Sequence, residues 1–228
     1  MSSRQTEQFA KLDHEAESFL KTLDKARLSP RGYYRLLKTA RTIADLARED
    51  QVRAEHLAEA FSYQPLPGGR RMGIITNAGG PGILCADACE EAGIHVVEFS
   101  EKIKSQLRSF LPPAASIANP VDMIASATPE FYRQTIGTVL AADEMDALIV
   151  IFIPIGVVET PAIAQAIEQA VASARADGIK NKPVFACLMG EEGLYPSFKI
   201  DGEIIPSYAF PETAAYVAGK LADYADWQ

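Results

Sequence analysis

The chain is poor in cysteine, histidine and tryptophan, and what it lacks removes several classes of function. Three cysteines in 228 residues, Cys85, Cys89 and Cys187, form no disulfide framework. Cys85 and Cys89 stand four apart on an expected helix, but no second Cys/His pair follows at metal-ligand spacing, so they read as buried thiols and no metal site is expected. His56, in an expected helix, and His95, opening an expected strand, read as structural. Long apolar runs are missing: the longest, Ala147 to Val158, contains Pro154 and Gly156 and is far too short to span a bilayer. Met1 to Lys11 is polar, without the apolar segment of a signal peptide. These features fit a reducing, cytoplasmic setting. Neither G-x-x-x-x-G-K-[ST] nor G-x-G-x-x-G occurs, which removes the two standard nucleotide fingerprints. Positive charge is scarce after residue 66: residues 1–66 carry eleven Lys/Arg against ten Asp/Glu, residues 67–228 eleven against twenty. That acidity argues against a broad nucleic-acid surface.

The first part reads as helices only. Leu12 to Ala26 keeps Ala16, Phe19, Leu20 and Leu23 on one face. Ser29-Pro30 is a helix start, Ser as cap and Pro at the first position, and the helix continues through Leu36, Leu37, Ala40, Ile43, Ala44 and Ala47 to Glu49-Asp50. A third helix is expected over Arg53 to Ser62. About 60 residues is marginal for an independent core, so this segment is expected to need a partner surface. Residues 67–71, within Gln64-Pro65-Leu66-Pro67-Gly68-Gly69-Arg70-Arg71, read as a linker.

After the linker, strands and helices alternate. Strands are expected at Met72–Thr76, His95–Glu98, Ala147–Ile153, Val184–Met189 and Ile204–Ala209. Helices are expected at Gly82–Ala92, Ser100–Phe110, Pro129–Ala141, Pro161–Asp177 and Glu212–Tyr224. The pattern predicts an α/β, flavodoxin-like, doubly wound parallel sheet over residues 72–228, preceded by the small three-helix segment of residues 1–66. Ligands of such sheets bind beyond the carboxyl ends of the strands, where Thr76-Asn77-Ala78-Gly79, Pro154-Ile155-Gly156 and Gly190-Glu191-Glu192-Gly193 would lie.

The stretch from Met72 to Leu84 is the one most charged with chemistry. An apolar strand breaks into a turn with Gly79, Gly80 and Gly82, Pro81 suits a first helical turn, and an amphipathic helix is expected to follow. The free N–H groups and positive dipole end of that helix suit a phosphate or carboxylate. Thr76, Asn77, Ala78, Gly79, Gly80 and Gly82 are therefore the candidate anion site; the alternative is a tight turn whose glycines serve packing. Asn119-Pro120-Val121-Asp122 can place a polar pair, Asn119 and Asp122, beside that turn, or form a capped loop with Asp122 opening a helix.

Two resemblances add to this. Leu28-Ser29-Pro30-Arg31-Gly32-Tyr33-Tyr34-Arg35-Leu36-Leu37, continued to Ala47, with Glu55-His56-Leu57-Ala58-Glu59-Ala60 and Tyr63, resembles the C-terminal helical lid of magnesium-chelatase-like AAA+ ATPases over residues 10–66. The resemblance implies a nucleotide-sensor role for Arg31, yet no P-loop precedes it here, and surface ion pairing is the competing role. The glycine turn, Leu111-Pro112-Pro113-Ala114-Ala115-Ser116, Asn119-Pro120-Val121-Asp122, Ile149-Val150-Ile151-Phe152 with Pro154, Lys182-Pro183-Val184, Phe210-Pro211-Glu212 and Tyr224-Ala225-Asp226-Trp227 resemble a domain of NDP-forming acyl-CoA synthetases, the succinyl-CoA synthetase superfamily.

The second resemblance implies an acid–CoA ligase module whose helix, starting at Gly80-Pro81-Gly82, stabilises a phosphohistidine. None of His14, His56 and His95 lies in the family's Ser-His-Thr-Gly type of segment, so no catalytic residue is assigned within the chain. CoA-binding, histidine-loop and ATP-grasp domains would come from other synthetase domains or subunits, a homo-oligomer is a further partner to expect, and CoA and ATP/ADP with Mg belong to the complete enzyme. The alternative is a non-catalytic binding module with a helical docking segment.

Overall fold

Apolar strands alternating with helices build, in a computed structural model, one mainly parallel sheet with helices on both faces. The structure describes residues 10–14, 16–17, 30–46, 48–53, 56–57, 60, 66–155, 159–190, 193–194, 198–200 and 203–227. Two units are distinct, Met1–Tyr63 and Gln64–Gln228.

In the first unit, α1 (Pro30–Leu46) buries Leu36, Leu37, Ala40 and Ala44 at helical spacing. Arg41 is buried among them because the chain folds back over it: its guanidinium donates to Asp45 Oδ1 (3.0 Å), to the Asp50 carbonyl (2.8 Å) and to the Glu49 carbonyl. His56, also buried, accepts the Arg53 N–H at Nδ1 (3.0 Å), which is a structural role. Residues 15 and 18–26 of the expected first helix and Ser29, the expected cap of the second, lie outside the described residues, as do 54–55, 58–59 and 61–62 of the third helix and Gln64-Pro65 before the linker.

The second unit contains β1 (Arg71–Thr76), α2 (Gly79–Glu91), β2 (His95–Val96), α3 (Glu101–Arg108), β3 (Val121–Asp122), α4 (Pro129–Leu140), β4 (Ala147–Phe152), α5 (Thr160–Ala176) and β5 (Val184–Gly190). These are followed by β6 (Gly193–Leu194), β7 (Phe198–Ile200), β8 (Glu203–Ile205), β9 (Ser207–Tyr208) and α6 (Pro211–Trp227). The sheet runs β2-β1-β4-β5, with β3 beside β1 and β9 beside β5, all parallel; β6 joins β5 antiparallel. β4 shows why its sequence is an unbroken apolar run. Leu148, Val150 and Phe152 enter the core beneath α3, α4 and α5, while Ile149 and Ile151 enter the opposite core beneath α2 and α6.

Three local readings change. The expected strand Ile204–Ala209 is two elements, because Pro206 separates β8, paired antiparallel with β7, from β9 on the main sheet. β3 was not foreseen, and Asp122 lies in it rather than at a helix start. The helix expected from Gly82 begins at Gly79.

β1 carries a gap in its ladder that a side chain fills. β2 pairs with its start and β3 with its end, and between them Asn119 Oδ1 accepts the Ile74 N–H (2.9 Å) while Nδ2 donates to the Met72 (2.7 Å) and Val97 (2.8 Å) carbonyls. The Asn119-Pro120 peptide bond is cis. At the other end of β1, Asp146 receives the Arg71 main-chain N–H (3.0 Å) and side chain (3.0 and 2.8 Å). A Cβ on Gly69 would stand 2.5 Å from that carboxylate, so only glycine leaves it room. Burial opposes the Asp146 charge, but the Arg71 hydrogen bonds outweigh it and hold its pKa below the ordinary value.

Two outcomes are expected. Asn119→Ala strips three main-chain groups of a partner and should lower unfolding free energy by about 2 to 4 kcal/mol in urea titrations; a loss below about 0.5 kcal/mol would contradict the bridging role. Because the folded-state pKa of Asp146 is depressed, its contribution is present above the unfolded value near pH ~3.9 and lost as pH falls through the folded value. Asp146→Asn should therefore be destabilised against wild type at neutral pH, and the difference should shrink on acidification.

Candidate functional site

The carboxyl end of β1 runs straight into α2, so two residues must both turn the chain and start the helix. Asn77 is buried, and its side chain extends the β1–β4 ladder: Oδ1 accepts the Ile153 N–H (2.9 Å) and Nδ2 donates to the Ile153 carbonyl (2.8 Å). What remains for a ligand is its main chain. Thr76 is buried too, and its hydroxyl accepts the Ala78 N–H (3.0 Å) and donates to the Ala78 carbonyl (2.9 Å).

These bonds leave a specific set of donors at the start of α2. Ala78 is the N-cap and offers no side-chain cap; its N–H is held by Thr76. Pro81 has no N–H, and Gly82 donates to the Ala78 carbonyl (3.4 Å). The N–H groups of Gly79 and Gly80 have no intrahelical acceptor, and they sit at the positive end of a helix of 13 residues.

The three glycines do different work, and none has positive φ. A Cβ on Gly82 would lie 3.1 Å from Thr76 Cγ2 and 3.4 Å from Pro120 Cβ, so Gly82 lets α2 close onto the β1 end and the Asn119-Pro120 turn. On Gly79 it would lie 3.1 Å from Asp122 Oδ2, whereas on Gly80 it would meet nothing within 4 Å. Gly80 is exposed, and the protein itself makes no demand for glycine there.

Register brings Asp122 to the turn: it pairs with Thr76 across β1 and β3. Its Oδ1 accepts the N–H of Ile124 (2.9 Å), which holds that β-branched residue at φ +60°, a strained backbone conformation. The other oxygen faces the start of α2. Of the two supporting candidates, then, Asp122 stands beside the turn, while Asn119 points back into β1. Arg31 lies in α1 of the other unit, and its side chain is outside the described residues, as are Gly156, Glu191 and Glu192 of the neighbouring loops.

The core beneath the site is chemically quiet. Cys85, Cys89 and Cys187 are fully buried and free. Hydrogen bonding to Cys89 and burial raise the Cys85 thiol, and burial pushes Cys187 up to about 12, so neither is a ready nucleophile. Among the described residues no cluster of His, Cys, Asp or Glu could hold a metal ion, and no helix is long and apolar enough to cross a membrane. Sequence reasoning missed the outward apolar residues here. Ile83 and Leu84 on α2 are exposed, and the helix buries Gly82, Cys85 and Cys89 instead of an apolar stripe.

A mainly parallel sheet with helices on both faces defines an α/β domain, and comparison with known proteins gives its family. The family model described as "Ligase-CoA domain" matches residues 72–224, and the chain belongs to that family. The alpha subunit of an ADP-forming acetate–CoA ligase (II) from Pyrococcus furiosus is 41% identical over 175 residues, 74% of this chain and 36% of that protein. A Candidatus Korarchaeum cryptofilum acetyl-coenzyme A synthetase, solved in complex with phosphate and ADP, superposes with a TM-score of 0.63 at 26% identity, covering 81% of this chain and 41% of that one. Residues 1–64 match the model for the C-terminal part of magnesium chelatase subunit ChlI. Competence protein ComM of Haemophilus influenzae is 45% identical over 67 residues, 29% of this chain and 13% of that protein. The chain thus spans about a third of the length of the ligase subunits it matches.

The glycines can be separated by stability alone. Gly80→Ala should leave stability unchanged or raise it by up to about 1 kcal/mol, since alanine favours a helix and meets no neighbour. Gly82→Ala should lower it by about 1 to 3 kcal/mol by forcing Thr76 or Pro120 aside. Chemical denaturation of the two variants reads this directly, and equal effects would contradict the division of roles.

Proposed function

We propose that this chain is a module of an NDP-forming acyl-CoA synthetase that supplies a helix N-terminus to a phosphohistidine site. Family membership supports the ligase class. The observation that carries the finer reading is the pair of unengaged N–H groups at Gly79 and Gly80, with open space over Gly80 and the Asp122 carboxylate beside Gly79. Two N–H donors at a helix start suit phosphoryl oxygens. The Asp122 carboxylate beside them suits a donor, and a phosphoimidazole offers both: oxygens on phosphorus and an N–H on the other ring nitrogen.

In this reading α2 acts by electrostatic stabilisation, holding charge on the phosphoryl group while it rests on the imidazole. The histidine, the CoA-binding domain and the ATP-grasp domain come from elsewhere, on a longer polypeptide or on other subunits. CoA, ATP or ADP and Mg would be bound there. The acid-binding residues would lie partly in those domains as well.

With the missing domains supplied in trans, the mixture should form acyl-CoA in a nucleotide-dependent reaction. Gly80→Asp should cut that rate on the order of a hundredfold, the scale seen when one oxyanion donor is lost. The new carboxylate should leave the melting temperature intact, because acidic residues favour a first helical turn. An unchanged rate would overturn the proposed role of α2.

A further inference from the structure

All three cysteines of the chain lie in one small region of core, beneath α6. Cys85 and Cys89 enter it from α2 and Cys187 from β5, and each is fully buried. The Cys85 thiol donates to the Pro211 carbonyl at the start of α6 (3.9 Å). Hydrogen bonding to Cys89 and burial raise the Cys85 pKa, burial raises that of Cys187, and the Glu212 carboxylate on α6 adds to both. α6 is therefore the cover of a thiol core, and the reaction proposed above uses none of its sulfurs.

The cover is held lightly along its length and clasped at its far end. Its buried face is Ala214, Ala215, Val217, Ala218 and Ala222, and alanine methyls gain much less on burial than a stripe of Leu or Ile would. Gly219 lets it lie against the end of α2: a Cβ there would stand 2.8 Å from the Ala92 carbonyl oxygen and 2.9 Å from Ala92 Cβ. Asp223 and Asp226 lie near its carboxyl end, whose last turn has no basic residue, and the helix dipole opposes them there. Arg70 offsets this. Its Nε and Nη2 donate to Asp226 Oδ2 (3.0 and 2.6 Å), Nη2 also to Asp223 Oδ1 (2.8 Å), and Nη1 to the Gly93 carbonyl just beyond α2 (3.4 Å). Lys220 adds a longer contact to Asp223 (3.4 Å). A forked network of this kind is the case in which exposed ion pairs matter. At the other end, α6 is joined to β9 only through the exposed Ala209-Phe210.

We propose that α6 is a hinged cover latched by Arg70, and that its opening admits small disulfides to the thiol core, which then hold it open: a redox-sensitive switch. While α6 is seated the thiols have no access to solvent. Once it opens, a thiol of the Cys85–Cys89 pair gives up its proton and its sulfur attacks one sulfur of a low-molecular-weight disulfide such as glutathione disulfide. The S–S bond of that disulfide breaks, the leaving thiolate takes up a proton, and the chain keeps a mixed disulfide, so one disulfide is consumed and one is formed. The neighbouring cysteine does not displace the adduct while α2 stays helical. Cβ atoms four residues apart on a helix are about 5 to 6 Å apart, beyond the roughly 3.5 to 4.5 Å that a disulfide spans. An interface of alanines and one glycine, closed over sulfurs with no exposure, has no room for the adduct. α6 therefore stays displaced, and α2 loses the surface it packs on, until an external thiol removes the adduct.

The test uses the full chain with glutathione disulfide as probe, adduct formation followed by intact mass, and urea unfolding measured in parallel. In the wild type the adduct should form faster than global unfolding allows, which marks a local opening. Arg70→Ala should speed it on the order of tenfold, with little change in the unfolding midpoint. Exchanging the charges, Arg70→Asp with Asp226→Arg, should restore the slow rate, and high salt should speed the reaction of the wild type by screening the exposed latch. Gly219→Ala, which pushes α6 from α2 without touching a charge, should also speed it. Amide hydrogen exchange over residues 211–227 should rise in the modified chain and fall back after dithiothreitol. Adduct formation that keeps pace with global unfolding, a rate in Arg70→Ala equal to that of the wild type, or exchange in α6 unchanged by the adduct would overturn the proposal.

Discussion

The second unit depends on how β1 is completed. It is flanked by β4 on one side and, on the other, by β2 and β3, each only two residues long. Two asparagine amides finish what those strands leave open: Asn119 between β2 and β3, and Asn77 beyond the last β1–β4 pair. A side-chain amide carries the same donor and acceptor as a peptide group, so each satisfies buried main-chain atoms that would otherwise cost about 1 to 3 kcal/mol apiece. Once both are in place the carboxyl end of β1 has one geometry, and the start of α2 is fixed with it.

The sequence made the alternation of strands and helices legible, along with the glycine turn and its position at a strand's carboxyl end. β4 was readable because both its faces are buried and its apolar run is therefore unbroken. β3 was not, since two residues carry no periodicity and its existence rests on register with a strand about 45 positions earlier. The start of α2 was misplaced because glycines read as breakers, whereas here the backbone of all three is free of positive φ and the helix runs through them. Cys85 and Cys89 were legible as buried thiols on one helix face, whereas the outward position of Ile83 and Leu84 follows from the packing of α6 along α2, a contact between distant segments. Asp122 could be suspected near the turn from its motif, but that one oxygen faces Gly79 follows only from the β1–β3 pairing.

The two edges of the sheet differ in a way that local stability does not explain. At the amino edge charges are paired and helix ends are closed. Arg71 is held by Asp146, and Arg70 by Asp223 and Asp226. Arg175 is held by Glu203, and Lys182 donates to the Leu140 (3.0 Å) and Ala142 carbonyls at the end of α4. At the carboxyl edge the choices run against stability. Three glycines occupy the start of the helix, and Gly80, where a side chain would meet no neighbour, costs up to about 1 kcal/mol against alanine. No side chain caps α2, an isoleucine is held at positive φ, and large apolar groups face solvent.

Several local rules broken together around one turn mark a place where something other than folding is at stake. Each departure has the same geometric consequence, which is what ties them into one site. Glycine at position 80 keeps space open above the donors, and the missing cap leaves those donors unengaged. Ile124, in its strained conformation, lets Asp122 turn its second oxygen toward Gly79. The apolar rim raises the strength of any charge interaction made there once it is covered, because water is then excluded and the effective dielectric falls. The proposed phosphohistidine role, in which a domain from elsewhere completes the site, accounts for these departures together, whereas a turn that served packing alone would account only for Gly82.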